Sequence, residues 1–223
     1  MVKFKNVSKT FPNSKQALSS IDFTIEDGEF IFLVGPSGAG KTTILRLIYR
    51  DLLPTAGSIF IDSTEVNNIP EDKIPYLRRR IGYIFQDFKI LSSRTVAENI
   101  AVTLEILAKD KDEIEKEVHK ILDTVRLSDK ANYFPVQLSL GELQRVAIGR
   151  AIAGNADIIL ADEPTGNLDP KTSWDILKII NDINKAGKIV IMATHNIDMV
   201  NSMKKRIIVL KNGKIIKAGK TYY

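Results

Sequence analysis

The amino-acid sequence predicts an α/β fold with a mainly parallel core sheet, an antiparallel β portion and a helical insertion. Three observations support this prediction. Residues 2–8 and 18–25 alternate apolar and polar residues as strands do, short apolar runs later alternate with helical patterns, and residues 95–127 are helical in pattern. The 223 residues are 44% hydrophobic, so the chain is long and apolar enough to form a packed core.

We predict a single domain over residues 1–223. Its core and antiparallel β portion are expected at residues 1–87 and 151–223, and its helical subdomain at residues 88–150. The first two strands are expected to be joined by a loop at residues 10–14, in which Phe11 is an aromatic residue without an evident partner. The sequence favours two interpretations of Phe11: a core plug, or a platform that stacks on an adenine ring.

Composition limits the possible functions. The absence of cysteine excludes disulfides and thiolate metal sites, and no apolar run approaches the ~20 residues of a membrane span. Residues 1–5 alternate apolar and charged residues and lack the apolar core of a signal peptide, so we expect the chain to stay inside the cell. The net charge is +5, and we interpret the basic runs as solvated faces or, alternatively, as a surface for a membrane or an acidic partner, so no nucleic-acid partner is expected.

One stretch carries the strongest chemical information in the sequence. Gly35-Pro36-Ser37-Gly38-Ala39-Gly40-Lys41-Thr42 matches the phosphate-loop pattern G-x-x-x-x-G-K-[ST] at every fixed position, between a predicted strand at 29–34 and a predicted helix at 43–50. Backbone N–H groups, the helix start and the lysine would surround phosphates, and the threonine hydroxyl would bind Mg²⁺. The predicted nucleotide-binding residues of the loop are Gly35, Ser37, Gly38, Ala39, Gly40, Lys41, Thr42 and Thr43.

The next elements are two short strands and a helical region. The strands are expected at residues 57–62 and 81–85, and the second one ends at Gln86. In the helical region one face is apolar, and His119 falls on the opposite face as a solvated histidine. The residues of the apolar face are Ile114, Val118, Ile121, Leu122 and Val125.

A helix start near residue 139 admits two interpretations. Ser139 and Glu142 have the S-x-x-E spacing of a capping box, which is a structural role. Alternatively, a glycine-containing helix start presents bare N–H groups to an anion outside its own phosphate site, with Gly141 allowing close approach.

Two further strands end in polar residues. The apolar strand at 156–161 is followed by Asp162 and Glu163, and the strand at 188–193 leads to His195. Carboxylates at the carboxyl end of a buried parallel strand are costly unless a cation or a proton stabilises them, although a solvated turn is the simpler interpretation. We expect Asp162 to hold Mg²⁺ and Glu163 to take a proton from an attacking water.

The remaining elements are predicted as structural. A helix over residues 173–185 has a broad apolar stripe, and Trp174 within it is expected to pack structurally. A helix over residues 199–204 follows, and then a hairpin that turns at Asn212 and Gly213.

The order of these elements along the whole chain resembles the ATP-binding cassette family. The resemblance implies a cassette fold within the phosphate-loop nucleoside triphosphatases, and a magnesium-dependent ATPase activity. It also implies the roles of individual residues. In the family pattern Phe11 matches the adenine-stacking aromatic, Gln86 the Q-loop, Ser139 to Glu142 the signature, Asp162 and Glu163 the Walker B pair, Asn167-Leu168-Asp169 the D-loop, and His195 the switch histidine.

The resemblance implies a mechanism and partners. Water would attack the γ-phosphate of ATP with Lys41, Gln86, Glu163 and His195 as catalytic residues, and Thr42, Gln86 and Asp162 would hold Mg²⁺. Because one chain holds a phosphate loop and a signature that should face another nucleotide, an ATP-dependent head-to-tail homodimer is implied. In that dimer Ser139, Gly141 and Glu142 would contact the nucleotide of the other protomer.

Three stretches resemble a cell-division branch of the family, in which the ATPase is paired with a transmembrane subunit at the inner face of the cell membrane. They are Phe85-Gln86-Asp87-Phe88-Lys89-Ile90-Leu91, Arg94-Thr95-Val96-Ala97-Glu98-Asn99 and Val200-Asn201-Ser202-Met203-Lys204-Lys205-Arg206. The lipoprotein-release and macrolide-export ATPases share Pro164-Thr165-Gly166-Asn167-Leu168-Asp169 and remain the alternative. Phe88, Ile90 and Leu91 are expected to line a groove for the membrane subunit, or else to belong to the subdomain core.

One position departs from the family pattern. The signature usually has two glycines after its serine, whereas Leu140 occupies the first of these positions here. A side chain there would narrow the approach of a γ-phosphate or restrict the backbone angles, so we expect a weaker composite site.

Three rival functions are weighed against the membrane-coupled ATPase. A small phosphate-loop kinase would need an acceptor pocket and a lid, and the ordered Ser139 and His195 elements disfavour it. A cassette protein acting on ribosomes or DNA commonly has two cassettes or a long insertion, which this chain lacks. A nucleotide-gated binding module is disfavoured by Glu163, although Leu140 is compatible with it.

Overall fold

The computed structural model describes residues 1–12 and 16–219, which form two sheets and a set of helices. Part of the loop predicted at residues 10–14 therefore lies outside the described residues. The strands are β1 (Val2–Thr10), β2 (Gln16–Ile25), β3 (Phe30–Val34), β4 (Ala56–Ile61), β5 (Thr64–Glu65), β6 (Ile81–Ile84), β7 (Ile158–Asp162), β8 (Ile189–Thr194), β9 (Arg206–Lys211) and β10 (Lys214–Gly219).

Seven α-helices occur in the described part of the chain, together with short 3₁₀ turns. The helices are α1 (Lys41–Ile48), α2 (Ile74–Arg79), α3 (Val96–Ile106), α4 (Lys111–Val125), α5 (Leu140–Ile152), α6 (Pro170–Lys185) and α7 (Ile197–Met203). The fold is the predicted α/β class.

The larger sheet has six strands in the order β10-β9-β3-β8-β7-β6. The five strands from β9 to β6 are parallel to one another. Strand β10 pairs antiparallel with β9 as the second strand of the predicted hairpin. Strands β3, β7 and β8 are completely buried, as expected for parallel strands that are covered on both faces. The expectation of a mainly parallel core sheet is confirmed.

The smaller sheet is the predicted antiparallel portion, with the order β2-β1-β4-β5. One face is apolar because Val2 and Phe4 point inward, and an irregularity in the register at Asn6 brings Val7 to the buried side as well. Phe4 stacks on Phe23 with ring centroids 4.5 Å apart. This face joins α1 and one face of the large sheet in a single apolar core.

A second core lies on the opposite face of the large sheet and includes residues from helices α3 to α6. The apolar face predicted in the helical region is present, since Val118, Ile121, Leu122 and Val125 of α4 are buried. His119 is exposed, as expected. Helix α5 extends to Ile152, two residues beyond the subdomain boundary proposed at 150, and that division remains a proposal.

Three helices begin earlier than their apolar patterns predicted, and the reason is capping. Helix α1 begins at Lys41 after Gly40 in the left-handed conformation, α6 begins at Pro170 because Asp169 accepts from the Thr172 N–H, and α7 begins at Ile197 after Asn196. The capping residues lie before the first apolar residue of each helix, so the apolar periodicity alone predicts a helix start that is too late.

Trp174 does not lie in the interior as a structural packing residue would. Its side chain is 37% exposed on α6. The apolar stripe of α6 is formed instead by Ile176, Leu177, Ile179 and Ile180.

Candidate active site

The site lies where four parallel strands end at one edge of the large sheet. Val34 of β3 pairs with Thr194 of β8, and Asp162 of β7 pairs with Ala193 of β8. Strand β6 ends at Ile84, which pairs with Ala161. This register aligns the loops that follow β3, β6, β7 and β8, and open α/β sheets bind ligands at this edge.

The phosphate loop connects β3 to α1 and wraps around the start of that helix. No side chain caps the N-terminus of α1 and no acidic residue lies in its first turn, so its N–H groups face the cleft. A Cβ added at Gly35 would lie 2.3 Å from the carbonyl oxygen of Leu210, and one added at Gly40 would lie 2.6 Å from Leu18. These two glycines are therefore required by close packing as well as by the motif.

The turn of the β9–β10 hairpin contacts the phosphate loop. The N–H of Gly213 in its turn donates to the carbonyl oxygen of Ala39 at 3.3 Å. The carbonyl oxygen of Gly213 accepts in turn from the N–H of Ser19 at 2.8 Å. The turn residues Asn212 and Gly213 both have positive φ angles, of 50° and 73°, as two-residue hairpin turns require.

Lys41 is buried, with 6% of its surface exposed, and its ammonium group is fully engaged. It donates to the carbonyl oxygens of Gly35 at 2.8 Å and Pro36 at 3.2 Å. It also lies 3.3 Å from Oε1 of Glu163. The predicted loop lysine and the predicted base are thus direct neighbours.

Asp162 is the buried carboxylate at the end of β7, with 6% exposure. The hydroxyl of Thr42 donates to its Oδ1 at 3.0 Å, and the hydroxyl of Tyr83 lies 3.5 Å from its Oδ2. Burial raises the pKa of the Asp162 carboxyl, and the hydrogen bond from Thr42 opposes that rise. A buried carboxylate of this kind is stabilised by a nearby cation.

Glu163 links the loop lysine to the predicted switch histidine. Its Oε2 lies 2.7 Å from Nδ1 of His195, and the tautomer with a proton on Nδ1 donates this bond. Glu163 has a φ of 50°, a left-handed conformation that is uncommon for a residue with a side chain, and its side chain is 14% exposed. Strain of this kind is concentrated at functional sites.

The cleft above these groups has a volume of about 740 Å³. It brings together most of the residues predicted for nucleotide binding, including Phe11 and Gln86. The lining residues are Phe11, Ala17, Pro36, Ser37, Gly38, Ala39, Gly40, Lys41, Thr42, Thr43, Gln86, Glu163, Gly166, Asn167 and His195. A polar cleft with an aromatic residue at its edge suits a nucleotide.

The predicted signature residues lie outside this cleft. Ser139 and Glu142 form the predicted capping box of α5, in which each side chain accepts from the backbone N–H of the other residue. The carboxylate of Glu142 is also bound by Lys130, and that hydrogen bond is the main cause that lowers the pKa of Glu142 to about 2. Glu142 is therefore engaged within its own chain, and contact with a second nucleotide stays a prediction for all three signature residues.

The two positions after Ser139 differ in what they require. A Cβ at Gly141 would lie 2.4 Å from Cγ2 of Thr172 on α6, so a larger residue does not fit there. Leu140 is the first residue of α5, and its side chain is 52% exposed. Since a helical residue adopts the backbone of α5 without strain, Leu140 does not restrict the backbone angles. Of the two expected effects of Leu140 on the composite site, only the space that its side chain occupies in front of α5 remains.

The structure revises the expected groove beside Gln86. A groove of about 360 Å³ runs between α2 and β6 on one side and α3 and α5 on the other. Phe88 lines it as expected, but Ile90 packs on the second core, and neither Ile90 nor Leu91 is among its lining residues. Leu91 is held instead by its backbone, which exchanges hydrogen bonds with the buried side chain of Asn99.

Sequence reasoning did not identify Tyr83 as a neighbour of the site. The alternation of a strand was the available signal, because Tyr83 and Phe85 lie two residues apart on one face of the strand that leads to Gln86. The rings of Tyr83 and Phe85 are stacked, with centroids 4.2 Å apart.

The residues at the strand ends fit a magnesium–nucleotide complex by their chemistry. Thr42 and Asp162 offer a hydroxyl and a carboxylate, which are the oxygen ligands that Mg²⁺ prefers. The described residues contain no group of three or more His, Cys, Asp or Glu side chains placed to hold a metal. Further ligands of Mg²⁺ would then come from phosphates, Gln86 and water.

The parallel sheet and its phosphate loop define a class of nucleotide-binding proteins, and comparison with known proteins identifies the family. The family model described as "ABC transporter" matches residues 18–166, and the chain belongs to this family of ATP-binding cassettes. No helix in the described residues has the length and apolar character needed to cross a membrane.

Among its relatives the chain is similar to the cell division ATP-binding protein FtsE. It is 50% identical to that protein of Bacillus subtilis (strain 168), over 97% of this chain and 95% of the relative. It is 43% identical to that of Escherichia coli (strain K12), over 96% of this chain and 97% of the relative.

A solved structure has the same fold. It is the dimeric post-hydrolysis state of the ATP-binding cassette MJ0796 bound to ADP and Pi, with a TM-score of 0.90, 38% identity and full coverage of both chains. The recognition of a cassette ATPase from sequence is confirmed.

Proposed function

We propose that this chain is the ATP-binding and ATP-hydrolysing subunit of a membrane complex for bacterial cell division. One observation carries the proposal: Lys41, Thr42, Glu163 and His195 line a single cleft at the strand ends of a cassette fold, and the buried Asp162 accepts a hydrogen bond from Thr42. The cell-division role is supported by the FtsE names of the relatives. No observation favours the alternative role in lipoprotein release or macrolide export.

ATP binding uses the phosphate loop and the edge of the cleft. The N–H groups of residues 38–43 and the dipole of α1 bind the β- and γ-phosphates, and Lys41 leaves its carbonyl partners to contact them. Phe11 stacks on the adenine in the same cleft. Mg²⁺, when bound to Thr42, Asp162 and Gln86, supplies charge neutralisation between the phosphates.

Hydrolysis requires that a water be aligned with the γ-phosphate and lose a proton. Glu163 accepts this proton, and its contacts with Lys41 and His195 keep the carboxylate directed into the cleft. His195 orients Glu163 through the 2.7 Å contact at Nδ1, and when both ring nitrogens carry a proton its Nε2–H also donates toward the γ-phosphate. In the structure Lys41 holds the other oxygen of Glu163 at 3.3 Å. Movement of Lys41 onto phosphate would free that oxygen to act as a base.

A head-to-tail homodimer completes the site. The Ser139 start of α5 has no phosphate in its own chain, and a second protomer related by a two-fold axis would present its nucleotide there. The similar cassette MJ0796 is described as a dimer with ADP and Pi. Ser139, Gly141 and Leu140 would then face the γ-phosphate of the other protomer, while Glu142 keeps the helix start capped.

The membrane partner is an FtsX-like transmembrane subunit, and it binds in the groove beside Gln86. The groove lining includes four basic residues, Arg78, Arg79, Lys89 and Arg150, and no acidic residue among those described. Its apolar wall includes the exposed Ile106 and the partly buried Phe88. A short amphipathic helix with carboxylates fits this surface. The chain would thus be peripheral to the cytoplasmic face of the membrane.

Phosphate release tests the proposal. We expect the purified chain to release phosphate from ATP only with Mg²⁺, to do so faster with the membrane subunit, and to lose nucleotide binding in Lys41→Ala. The chain should also co-purify with membranes that contain the partner. Absence of magnesium-dependent phosphate release in both preparations would contradict the ATPase assignment. Recovery with ribosomes or DNA in place of membranes would contradict the membrane assignment.

A further inference from the structure

Tyr83 on β6 lies beside the carboxylate that the proposed function assigns to the metal. Its hydroxyl is 3.5 Å from Oδ2 of Asp162, whereas the hydroxyl of Thr42 donates to the other oxygen, Oδ1. The 3.5 Å separation exceeds the roughly 2.8 Å of a strong O–H···O bond, and a small rotation of the Asp162 carboxylate would shorten it. Thr42 and Tyr83 are the side-chain hydrogen-bond partners shown for Asp162 within the described residues.

The ring of Tyr83 is held in place by its aromatic neighbours. It stacks on Phe85 with an interplanar angle of 20°, and it meets Tyr49 edge to face with ring centroids 5.2 Å apart. The guanidinium of Arg78 lies 4.8 Å from the centre of the Tyr49 ring and donates to the carbonyl oxygens of Tyr49 and Arg50. Packing from three elements therefore fixes the direction in which the Tyr83 hydroxyl points.

Tyr83 has a phenolic hydroxyl, which is neutral at physiological pH as in tyrosines generally. A neutral hydroxyl can donate a hydrogen bond to a carboxylate, whereas a phenolate would repel it.

We propose that Tyr83 is a positioning residue that orients the Asp162 carboxylate toward Mg²⁺. This inference rests on the proposed magnesium–ATP function and adds a residue to it. Thr42 contacts Oδ1 of the carboxylate and Tyr83 contacts Oδ2, so Oδ1 stays directed at Thr42 of the phosphate loop. Partners that orient a metal ligand in this way affect metal affinity although they do not contact the metal.

The test is an equilibrium titration of a fluorescent ATP analogue on Tyr83→Phe, which keeps the ring and removes only the hydroxyl. We expect the Mg²⁺ concentration for half-maximal nucleotide binding to rise about tenfold, the lower end of the range for such partners. Nucleotide affinity in EDTA should stay within about twofold of the parent, because the phosphate loop is unchanged. Tyr49→Phe is the matched control, since Tyr49 packs in the same aromatic group and makes no contact with Asp162.

Two results would overturn the inference. One is a parental magnesium requirement in Tyr83→Phe, with the fold verified by circular dichroism. The other is an equal rise in Tyr49→Phe, which would assign the effect to aromatic packing rather than to the hydroxyl. If the parent chain itself binds the analogue without regard to Mg²⁺, the proposed function fails first, and the parental titration alone shows this.

Discussion

At the scale of single residues, the site depends on a chain of charges from Lys41 through Glu163 to His195. Glu163 contacts both neighbours with its two oxygens, at 3.3 Å and 2.7 Å. The arrangement fixes the direction of the carboxylate, because each of its oxygens contacts a donor. A residue that is only a solvated turn would not require a strained backbone and two such partners.

Replacing the carboxylate by an amide separates binding from hydrolysis. We expect Glu163→Gln to keep Mg–ATP binding and to slow single-turnover hydrolysis about 10²- to 10⁴-fold, the usual effect of losing a positioned base. Quench-flow measurement of phosphate release checks this, with Glu117→Gln on the surface of α4 as a control expected at the parental rate. Hydrolysis by Glu163→Gln within tenfold of the parent would remove Glu163 from the role of base.

At the scale of elements, the start of α5 shows how a cap serves both folding and site geometry. Ser139 and Glu142 close the capping box, and Lys130 from the preceding turn neutralises the carboxylate. Gly141 lets α5 pack against Thr172 of α6. The start of α5 is therefore fixed in position by these contacts, and its outer face remains exposed to solvent.

The Glu142 cap predicts a dependence of stability on pH. Its pKa of about 2 in the folded chain is below its ordinary 4.5, so its stabilising contribution is present above about pH 4.5 and is lost as the pH falls toward 2. We expect Glu142→Gln to reduce the free energy of unfolding by about 0.5–1 kcal/mol at pH 7, first through the lost ion pair with Lys130 and then through the lost charge at the helix start. Urea unfolding should show this difference shrink between pH 4.5 and 2.

The control for that measurement is Glu115→Gln on exposed α4, which should change the free energy of unfolding little at either pH. A stability difference for Glu142→Gln that stays constant down to pH 2.5 would contradict the role of its charge.

The groove beside Gln86 is the element-scale contact with the membrane partner. Ile106 at the end of α3 lines it and is 66% exposed, which suits an apolar anchor. We expect Ile106→Asp to weaken binding of the FtsX-like subunit about 30-fold or more, because a hot-spot contact is lost and an acidic helix is repelled. Pull-down with titrated partner measures this effect, and Mg–ATP binding should stay within a few fold.

Ile216→Asp on β10 is the matched control, because Ile216 is similarly exposed at 59% and does not line the groove. Equal loss of partner binding in both variants would indicate a general effect of surface charge, and parental binding by Ile106→Asp would exclude this groove.

At the scale of the whole molecule, the sequence pattern was sufficient for the fold class and for the order of the strand ends. Strand β3 leads into the phosphate loop, and strands β7 and β8 end at Asp162 and Thr194. A parallel sheet brings the carboxyl ends of its strands to the same side, so the apolar runs alone predict this alignment. The positions of side chains between elements could not be predicted in this way. The pairing of Lys41 with Glu163 and the approach of Tyr83 to Asp162 depend on packing across the sheet.

The groove residues illustrate the same limit. Phe88, Ile90 and Leu91 lie within four consecutive positions. However, Phe88 and Lys89 both adopt left-handed backbone angles, with φ of 59° and 51°. This turn directs Phe88 into the groove and sends Ile90 to the second core. A bulky residue in the left-handed region is rare, so no periodic pattern predicts the reversal.

The proposed homodimer predicts an effect of Leu140 on assembly. Glu163→Gln chains saturated with Mg–ATP should dimerise weakly, since the exposed Leu140 side chain stands in front of the α5 start. Adding Leu140→Gly should lower the dimer dissociation constant about tenfold or more, equivalent to about 1.4 kcal/mol. Light scattering over a range of protein concentrations measures this change.

Lys41→Ala in the same background should stay monomeric, because it does not bind the nucleotide that the two protomers share. If the Glu163→Gln chain remains monomeric at every concentration both with and without Leu140→Gly, the head-to-tail arrangement is wrong.

The contact between the Gly213 turn and the phosphate loop has a consequence for synthesis on the ribosome. The loop is encoded near residue 40, yet Leu210 and Gly213 form the surface against which Gly35 and Ala39 pack. A nascent chain that has not yet released residues 206–213 would carry the full motif without its support. Contacts this distant in sequence form late in folding. Nucleotide binding during translation would therefore begin only after residues 206–213 had emerged from the ribosome.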